Sequence, residues 1–205
     1  TEYTVYKDSS LTEEVGKLTI QNEQGDSNIL ELDASGTYWF VETNSGNGYY
    51  KDAESFKRQI EDDIIINVED DPVTVDLYIK KTTADGFADG NGEYSLKDAE
   101  FWIYLDSALN ERYKDVVLKT DSNGITNKVT VPLGIYYIVE KKAPKGFAPL
   151  AGYKMVDLTS VSHTETFTVQ PEKEVTITET ALMDPVGILL QKLDKDTGEE
   201  VRRVL

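Results

Sequence analysis

The sequence predicts an all-β fold in which β-sandwich domains follow one another in tandem. Two blocks of the chain recur with a similar pattern of aromatic, glutamate and glycine residues. GTYWFVETNSGNGYY begins at Gly36 and GIYYIVEKKAPKGFA at Gly134, while EYTVY at Glu2 returns as EFWIY at Glu100. Gly36 and Gly134, like Glu2 and Glu100, are 98 residues apart. A single offset shared by separate blocks indicates an internal repeat.

The second observation is the alternation of β-branched and aromatic residues between turn-forming clusters, which is typical of short strands. Such clusters are rich in Asp, Asn and Gly, as in DSNG at 121–124. Segments 52–60 and 105–113 are predicted to be short helices or loops, too short to change the fold class. We therefore expect an all-β sandwich, with strands that include 73–79, 101–104, 129–131, 136–139, 166–169 and 188–190.

The predicted domain boundaries follow two Asp-Pro pairs, at 71–72 and 184–185, each of which precedes a new strand. Residues 1–71 are predicted to form a domain that lacks its first strand, and residues 72–185 a complete domain. Residues 186–205 are predicted to be the first strand of a further repeat. Linkers this short restrict the angle between neighbouring domains, which suits a stalk.

Composition excludes several classes of function. A net charge of −17 would repel a phosphate backbone, so no nucleic-acid partner is predicted. No apolar run reaches the roughly 18 residues of a membrane span, so no membrane insertion is predicted. The absence of cysteine rules out disulfides and thiolate metal sites. A secreted protein would then need another crosslink, and a reduced cytosolic protein is the alternative that composition leaves open.

Motifs for cofactor or metal chemistry are not visible. The acidic, glycine-rich segment 85–93 lacks the order of ligands of a calcium-binding EF-hand and is predicted to be a hairpin turn. His163, the only histidine, has no second histidine or cysteine near it and is predicted to lie on the surface. No cofactor and no metal are therefore expected.

Charged residues at buried positions are the most informative feature of the strands. A period of two places Glu42 on the same face as Tyr38 and Phe40, and Glu140 on the same face as Ile138. Because the two glutamates lie in different repeats, they are not interpreted as the acid pair of a glycosidase. A carboxylate that points into a core needs a partner.

The same alternation turns Lys81 inward at the end of strand 73–81, and Lys192 at the corresponding place in the tail. The alternation of Ile64, Ile66 and Val68 turns Asp70 inward at the end of the first domain, and Asp184 turns inward less cleanly at the end of the second. Burial lowers the pKa of a lysine and raises that of a carboxyl group, which makes the amine a nucleophile. A buried ion cluster, or a lysine whose amine reaches solvent at the strand edge, are alternatives that this pattern leaves open.

These residues resemble the Cna-B (SpaA-like) domains of Gram-positive pilins and surface adhesins, which have an Ig-like or prealbumin-like sandwich fold. The likeness rests on LLQKLDKDTGE at 189–199, DAEFWIY at 98–104 and the box GIYYIVEKKAPKGF at 134–147. It implies an isopeptide bond between the first-strand lysine and a last-strand Asp or Asn, catalysed by the box glutamate. Carried over, the bond joins Lys81 to Asp184 with Glu140 as catalyst.

The first repeat departs from this family pattern. Its box reads ETNSGNGYY without Ala-Pro, and no lysine strand precedes it. Glu42 is its catalytic candidate, with Asp70 as acceptor and Asp71 or Asn67 as alternatives. Lys7 and Lys17 are expected to be solvated.

The resemblance predicts a stalk or shaft module of an extracellular adhesin or pilin, attached to the cell wall through regions outside this chain. No enzyme activity beyond single-turnover bond formation is expected. Its predicted partners are neighbouring repeats and, head to tail, the tail 186–205 of another molecule, with Lys192 near Glu42 and Asp70 or Asp71. The alternatives are an adhesin module that binds a host surface ligand, and a hydrolase with an acidic cleft.

Overall fold

Alternating apolar residues form strands throughout the computed structural model, which describes residues 1–20, 25–84 and 90–179. An all-β fold is confirmed: no helix occurs in these three ranges, and therefore none that is long and apolar enough to cross a membrane. The strands are β1 Glu2–Tyr6, β2 Glu14–Thr19, β3 Gly36–Asn44, β4 Phe56–Ile60, β5 Thr74–Thr83, β6 Glu100–Tyr104, β7 Leu118–Lys119, β8 Val129–Pro132, β9 Ile135–Lys142, β10 Lys154–Asp157 and β11 Glu172–Glu179.

The first repeat contains one antiparallel sheet in the order β2-β1-β3-β4. Its inward face is aromatic, and the ring of Phe40 stacks on that of Phe56 with centroids 5.1 Å apart. Tyr3, Val5, Tyr38 and Phe40 form its buried core. Burial of these large side chains supplies the main stabilisation of the sheet.

The second repeat contains two sheets that enclose a larger core. One has the order β10-β9-β6-β7, and the other has the order β11-β5-β8. In the second of these sheets β5 is the central strand, antiparallel to β8 and parallel to β11. Its alternate residues Val75, Leu77, Ile79 and Lys81 all lie inside the sandwich.

The two repeats share strand order and register. Tyr3 of β1 lies opposite Glu42 of β3, and Phe101 of β6 lies opposite Glu140 of β9. Each pairing contains an irregularity one residue earlier, after Glu2 or Glu100. The offset of 98 residues is therefore kept in the backbone pairing as well as in the sequence.

Three predictions about secondary structure are wrong. Segment 166–169 is not a strand, because Phe167 and Val169 are largely exposed, and β11 pairs with β5 in its place. Segment 52–60 is neither a helix nor only a loop, since β4 occupies its second half. The alternation predicted for 64–70 does not form a strand either: Ile64 is exposed and Ile66 is half-buried.

Backbone hydrogen bonds join the two repeats directly. The amide of Lys51 donates to the carbonyl of Glu165 at 2.8 Å, and the amide of Val73 donates to the carbonyl of Gly48 at 2.7 Å. The buried Tyr50 ring meets Phe167 edge-on, with centroids 5.4 Å apart. These contacts fix the chain on both sides of the joint.

Candidate functional site

Lys81 is buried where the sequence pattern predicts it. Its side chain has no exposed surface, so the alternative in which the amine reaches solvent is excluded. The Nζ atom donates to Oε1 of Glu140 and lies 4.9 Å from the ring centroid of Phe101. The strand β5 delivers the amine to the inner face of the opposite sheet.

Glu140 has both carboxylate oxygens engaged. Oε1 accepts from Lys81, and Oε2 accepts the backbone amide of Leu150 at 2.6 Å. The Leu150 amide is a part of the site that the sequence analysis missed. The repeat offset was the available signal, because the corresponding residue in the first repeat, Asp52, makes the same contact.

Electrostatics at this pair favour a reactive amine. Burial lowers the pKa of Lys81, and the hydrogen bond and charge of Glu140 oppose this shift. A lysine amine attacks a carbonyl carbon only when it is neutral. The site thus has a buried amine with a lowered pKa and a carboxylate in direct contact with it.

The predicted third member of this site, Asp184, and the tail lysine, Lys192, lie outside the described residues. The last described strand, β11, runs parallel to β5, with Ile177 opposite Lys81 and Glu179 opposite Thr83. Five residues separate Glu179 from Asp184 in the sequence. The Lys81–Asp184 crosslink therefore stays a prediction.

The first repeat keeps the carboxylate but not the lysine. Glu42 is 2% exposed, and its Oε2 accepts the backbone amide of Asp52 at 2.5 Å. Its Oε1 and the neighbouring hydroxyl of Tyr3 have no hydrogen-bond partner among the described residues. Burial raises the pKa of Glu42, and the charges of Asp70 and Asp52 raise it further, against the Asp52 hydrogen bond.

The acceptor candidates of the first repeat differ in their surroundings. Asp70 is half-buried and accepts a long hydrogen bond, 3.5 Å, from the hydroxyl of Thr1. Asp71 and Asn67 are exposed. Of the three, only Asp70 is partly withdrawn from solvent, and its charge raises the pKa of Glu42.

The remaining candidates lie on the surface. Lys7 and Lys17 form exposed ion pairs with Asp33 and Glu2, at 3.6 and 2.8 Å, as expected for solvated lysines. His163 is exposed, and its Nδ1 lies 3.0 Å from the carbonyl of Val161. The described ranges contain no cluster of three or more side chains suited to hold a metal ion.

The second repeat matches a known domain family. Residues 88–180 match the family model of the SpaA domain, a prealbumin-like fold domain, which confirms the resemblance found in the sequence. No curated protein matches this chain.

Among solved structures, the Bacillus anthracis TIE protein is similar with a TM-score of 0.60 and 26% identity, over 87% of this chain and 30% of that one. The minor pilin GBS52 of Streptococcus agalactiae gives a TM-score of 0.40 and 17% identity, over 92% of this chain and 86% of that one. The shaft pilin SpaA of Lactobacillus rhamnosus GG gives 0.36 and 16%, over 92% and 88%. The chain thus spans about 30% of the length of the TIE protein that it matches.

Proposed function

We propose that this chain, whose second repeat matches the SpaA domain model over residues 88–180, is a stalk or shaft module of a Gram-positive cell-surface adhesin or pilin. A self-catalysed Lys81–Asp184 isopeptide bond holds its second repeat closed. The observation that carries the proposal is the fully buried Lys81–Glu140 contact. An uncompensated buried lysine is strongly unfavourable, so its position between two sheets calls for a structural or chemical reason.

Bond formation is a condensation of the lysine amine with an aspartic acid side chain. The Nζ atom of Lys81 attacks the Cγ atom of Asp184, the new C–N bond replaces a C–O bond, and one water leaves. Glu140 takes a proton from the amine and returns it to the departing oxygen, which is general acid-base catalysis. Contact between amine and carboxyl supplies the effective concentration that an amide condensation in solution lacks. The chain turns over once and acts on no external substrate.

The bond would change the path of tension through the second repeat. Force that enters along β5 reaches Lys81, crosses the isopeptide bond to Asp184 and leaves the domain there. The intervening residues, including the parallel β5–β11 pair, then carry no load and are not sheared apart. By analogy with disulfides, closing a loop of about 100 residues adds about 4 to 5 kcal/mol to the free energy of unfolding.

The hydrogen-bonded joint between the repeats supports the same function. A stalk transmits force best when neighbouring domains do not swing. Backbone hydrogen bonds cross the joint in both directions, from Lys51 to Glu165 and from Val73 to Gly48. We place the module outside the cell, attached to the wall through regions beyond this chain, with neighbouring repeats as its first partners.

Intact mass measured on the denatured protein tests the crosslink. The wild-type chain should be one water lighter than its sequence mass, and Lys81→Ala or Glu140→Ala should restore the full mass. Lys80→Ala is the matched control, because Lys80 is adjacent but exposed on the opposite face of β5, and it should leave the water loss unchanged. A wild-type chain of unmodified mass would overturn the crosslink.

Proteolysis provides a second readout. A crosslinked domain cannot extend fully, so digestion should leave a resistant fragment of about residues 73–184 that Lys81→Ala makes sensitive. Equal digestion of both proteins would show that the bond is absent or has no mechanical effect.

A further inference from the structure

Tyr50, at the end of the first box, is buried although it belongs to the core cluster of neither repeat. Two residues of the second repeat pack edge-on against its ring: His163 with centroids 5.9 Å apart and Phe167 with centroids 5.4 Å apart. The Tyr50 hydroxyl is buried without a hydrogen-bond partner among the described residues. Tyr50 is therefore held by the packing of its ring against the neighbouring repeat, and not by its polar group.

The segment that packs against Tyr50 contributes little to the core of its own repeat. Residues 162–169, which we call the clasp, lie between β10 and β11 and form no strand. Phe167 remains 57% exposed and Val169 78% exposed, so neither side chain is part of the second core. The apolar residues that predicted a strand at 166–169 thus include one that packs on the other repeat.

Lys51, the residue after Tyr50, is held by the same clasp through its backbone and its side chain. Its amide donates to the carbonyl of Glu165 at 2.8 Å, and its Nζ atom lies 2.8 Å from Oε2 of Glu165. The ion pair is exposed and contributes little stability by itself. Two bonds between the same two residues nevertheless require one alignment of the segments, so they fix the register of the clasp on the first box.

The second repeat keeps the turn of the box but not the two residues that the clasp holds. The equivalent glycines of the two turns have the same φ of 84°. By the offset of 98 residues, however, Tyr50 and Lys51 correspond to Ala148 and Pro149. Alanine has no ring to be covered, and proline has neither an amide hydrogen nor a charge for Glu165. The turn therefore belongs to both repeats, whereas the docking residues belong to the first box.

We propose that the clasp is a docking element for a repeat whose box ends in Tyr-Lys, and that it couples the motions of the two repeats. The rings of His163 and Phe167 against Tyr50 fix the angle at the joint, and the two Lys51–Glu165 bonds fix the register. A box that ends in Ala-Pro does not fit the same clasp, so the clasp distinguishes the two boxes of this chain. The inference goes beyond the proposed function, because docking does not depend on an isopeptide bond.

Urea unfolding of the first repeat tests the docking, with Trp39 fluorescence of the full chain in a Trp102→Phe background as the readout. Phe167→Ala changes only the second repeat, yet it should lower the urea midpoint of the first, because unfolding of the first repeat breaks the ring contact. Val169→Ala, on the same exposed segment, is the matched control and should leave the midpoint unchanged. An unchanged midpoint in Phe167→Ala overturns the proposal.

Substitutions of Tyr50 separate ring packing from hydrogen bonding in the same assay. Tyr50→Phe keeps the ring and removes a hydroxyl without a partner, so the midpoint should stay the same or rise. Tyr50→Ala should lower the midpoint, and adding Phe167→Ala to it should lower the midpoint no further, because the contact is already lost. Fully additive losses would show that the two rings do not stabilise each other and would overturn the docking.

Coupling of the repeats is tested by the distance between two spin labels in the full chain. The chain has no cysteine, so Lys57→Cys in β4 and Lys80→Cys in β5, both exposed, place one label in each repeat. We expect a single narrow distance distribution, which Phe167→Ala broadens and Val169→Ala does not, since repeats without a tight interface move relative to each other. Equal widths with and without Phe167→Ala contradict the coupling.

Specificity for the first box is tested with the same labels. Tyr50→Ala combined with Lys51→Pro gives the first box the ending of the second, and it should broaden the distance distribution at least as much as loss of the Phe167 ring. Tyr49→Ala is the control, because Tyr49 is adjacent but 44% exposed, and it should leave the distribution narrow. Trp39 fluorescence verifies that the first repeat remains folded. A narrow distribution with the Ala-Pro ending would show that the clasp accepts either box and would overturn the proposed specificity.

Discussion

Glu42 and Glu140 occupy equivalent positions in the two repeats, but the charges around them have opposite signs. Each lies opposite an aromatic residue of the neighbouring strand and accepts a backbone amide ten residues later. Glu140 meets a buried ammonium group, whereas Glu42 meets the charges of Asp70 and Asp52. The comparison shows that one sheet and its following loop build the carboxylate pocket, while the partner comes from the central strand of the other sheet.

The largest expected effect is at the compensated site. Glu140→Gln leaves Lys81 buried without a counter-charge and without the proposed catalyst of its crosslink. The free energy of unfolding of the second repeat should fall by about 3 to 5 kcal/mol from the uncompensated charge, in addition to the loss of the crosslink. The chain has two tryptophans, one in each repeat, so urea unfolding followed by Trp102 fluorescence in a Trp39→Phe background reports this repeat alone.

The matched control for Glu140→Gln removes both charges. Lys81→Met with Glu140→Gln buries no uncompensated charge and should cost less than Glu140→Gln by itself. If the double variant is less stable than Glu140→Gln alone, Lys81 and Glu140 do not depend on each other for their burial.

An intermediate effect is expected at two equivalent glycines. Gly48 and Gly146 both have a φ of 84°, which costs a residue with a side chain about 1 to 2 kcal/mol. An added Cβ atom at Gly146 would lie 2.5 Å from Tyr94 and 2.9 Å from the carbonyl oxygen of Glu93, whereas at Gly48 it meets nothing within 4 Å. Glu93 and Tyr94, which cover Gly146, belong to the segment after β5, and β5 has no counterpart in the described first repeat.

Gly146→Ala should therefore destabilise its repeat by about 2 to 4 kcal/mol, because overpacking adds to backbone strain, and Gly48→Ala by about 1 to 2 kcal/mol. Thermal and urea unfolding of the two single variants, read by Trp102 and Trp39 respectively, provide the comparison. Equal losses of unfolding free energy in the two variants would mean that the segment around Tyr94 moves to accommodate the added methyl group without a further loss of stability.

The smallest expected effect has the opposite sign and depends on pH. The pKa of Glu42 is raised in the folded state above its ordinary value of 4.5, so the folded state binds the proton more tightly than the unfolded one. This contribution to stability is fully present below pH 4.5 and is lost as the pH rises through the folded pKa. Glu42→Gln cannot ionise and should be more stable than wild type by about 1 kcal/mol at neutral pH, with no gain below pH 4.5.

Urea unfolding at several pH values, followed by Trp39 fluorescence in a Trp102→Phe background, measures this difference. A Glu42→Gln variant that is less stable at neutral pH would show that Glu42 already has a stabilising partner.

The sequence was sufficient for the faces of most strands and for the burial of the charged residues on them. Period-two alternation placed Lys81, Glu42 and Glu140 inside, and their burial is confirmed. The same rule failed for 64–70, where alternate apolar residues have no neighbouring strand to pair with. It also missed β11, because lysine, glutamate and threonine alternate there with only two buried apolar residues, Val175 and Ile177.

By itself, the sequence determined the repeat, its 98-residue offset and which side chains face inward, because these depend on spacing along one strand. The tertiary structure decided which strands are neighbours: β11 beside β5, the Leu150 amide on Glu140, and Lys81 across the sandwich from β9. Alternation tells which face a residue occupies but carries no information about what lies opposite. The open carboxylate oxygen of Glu42 is visible only once all of its neighbours are in place.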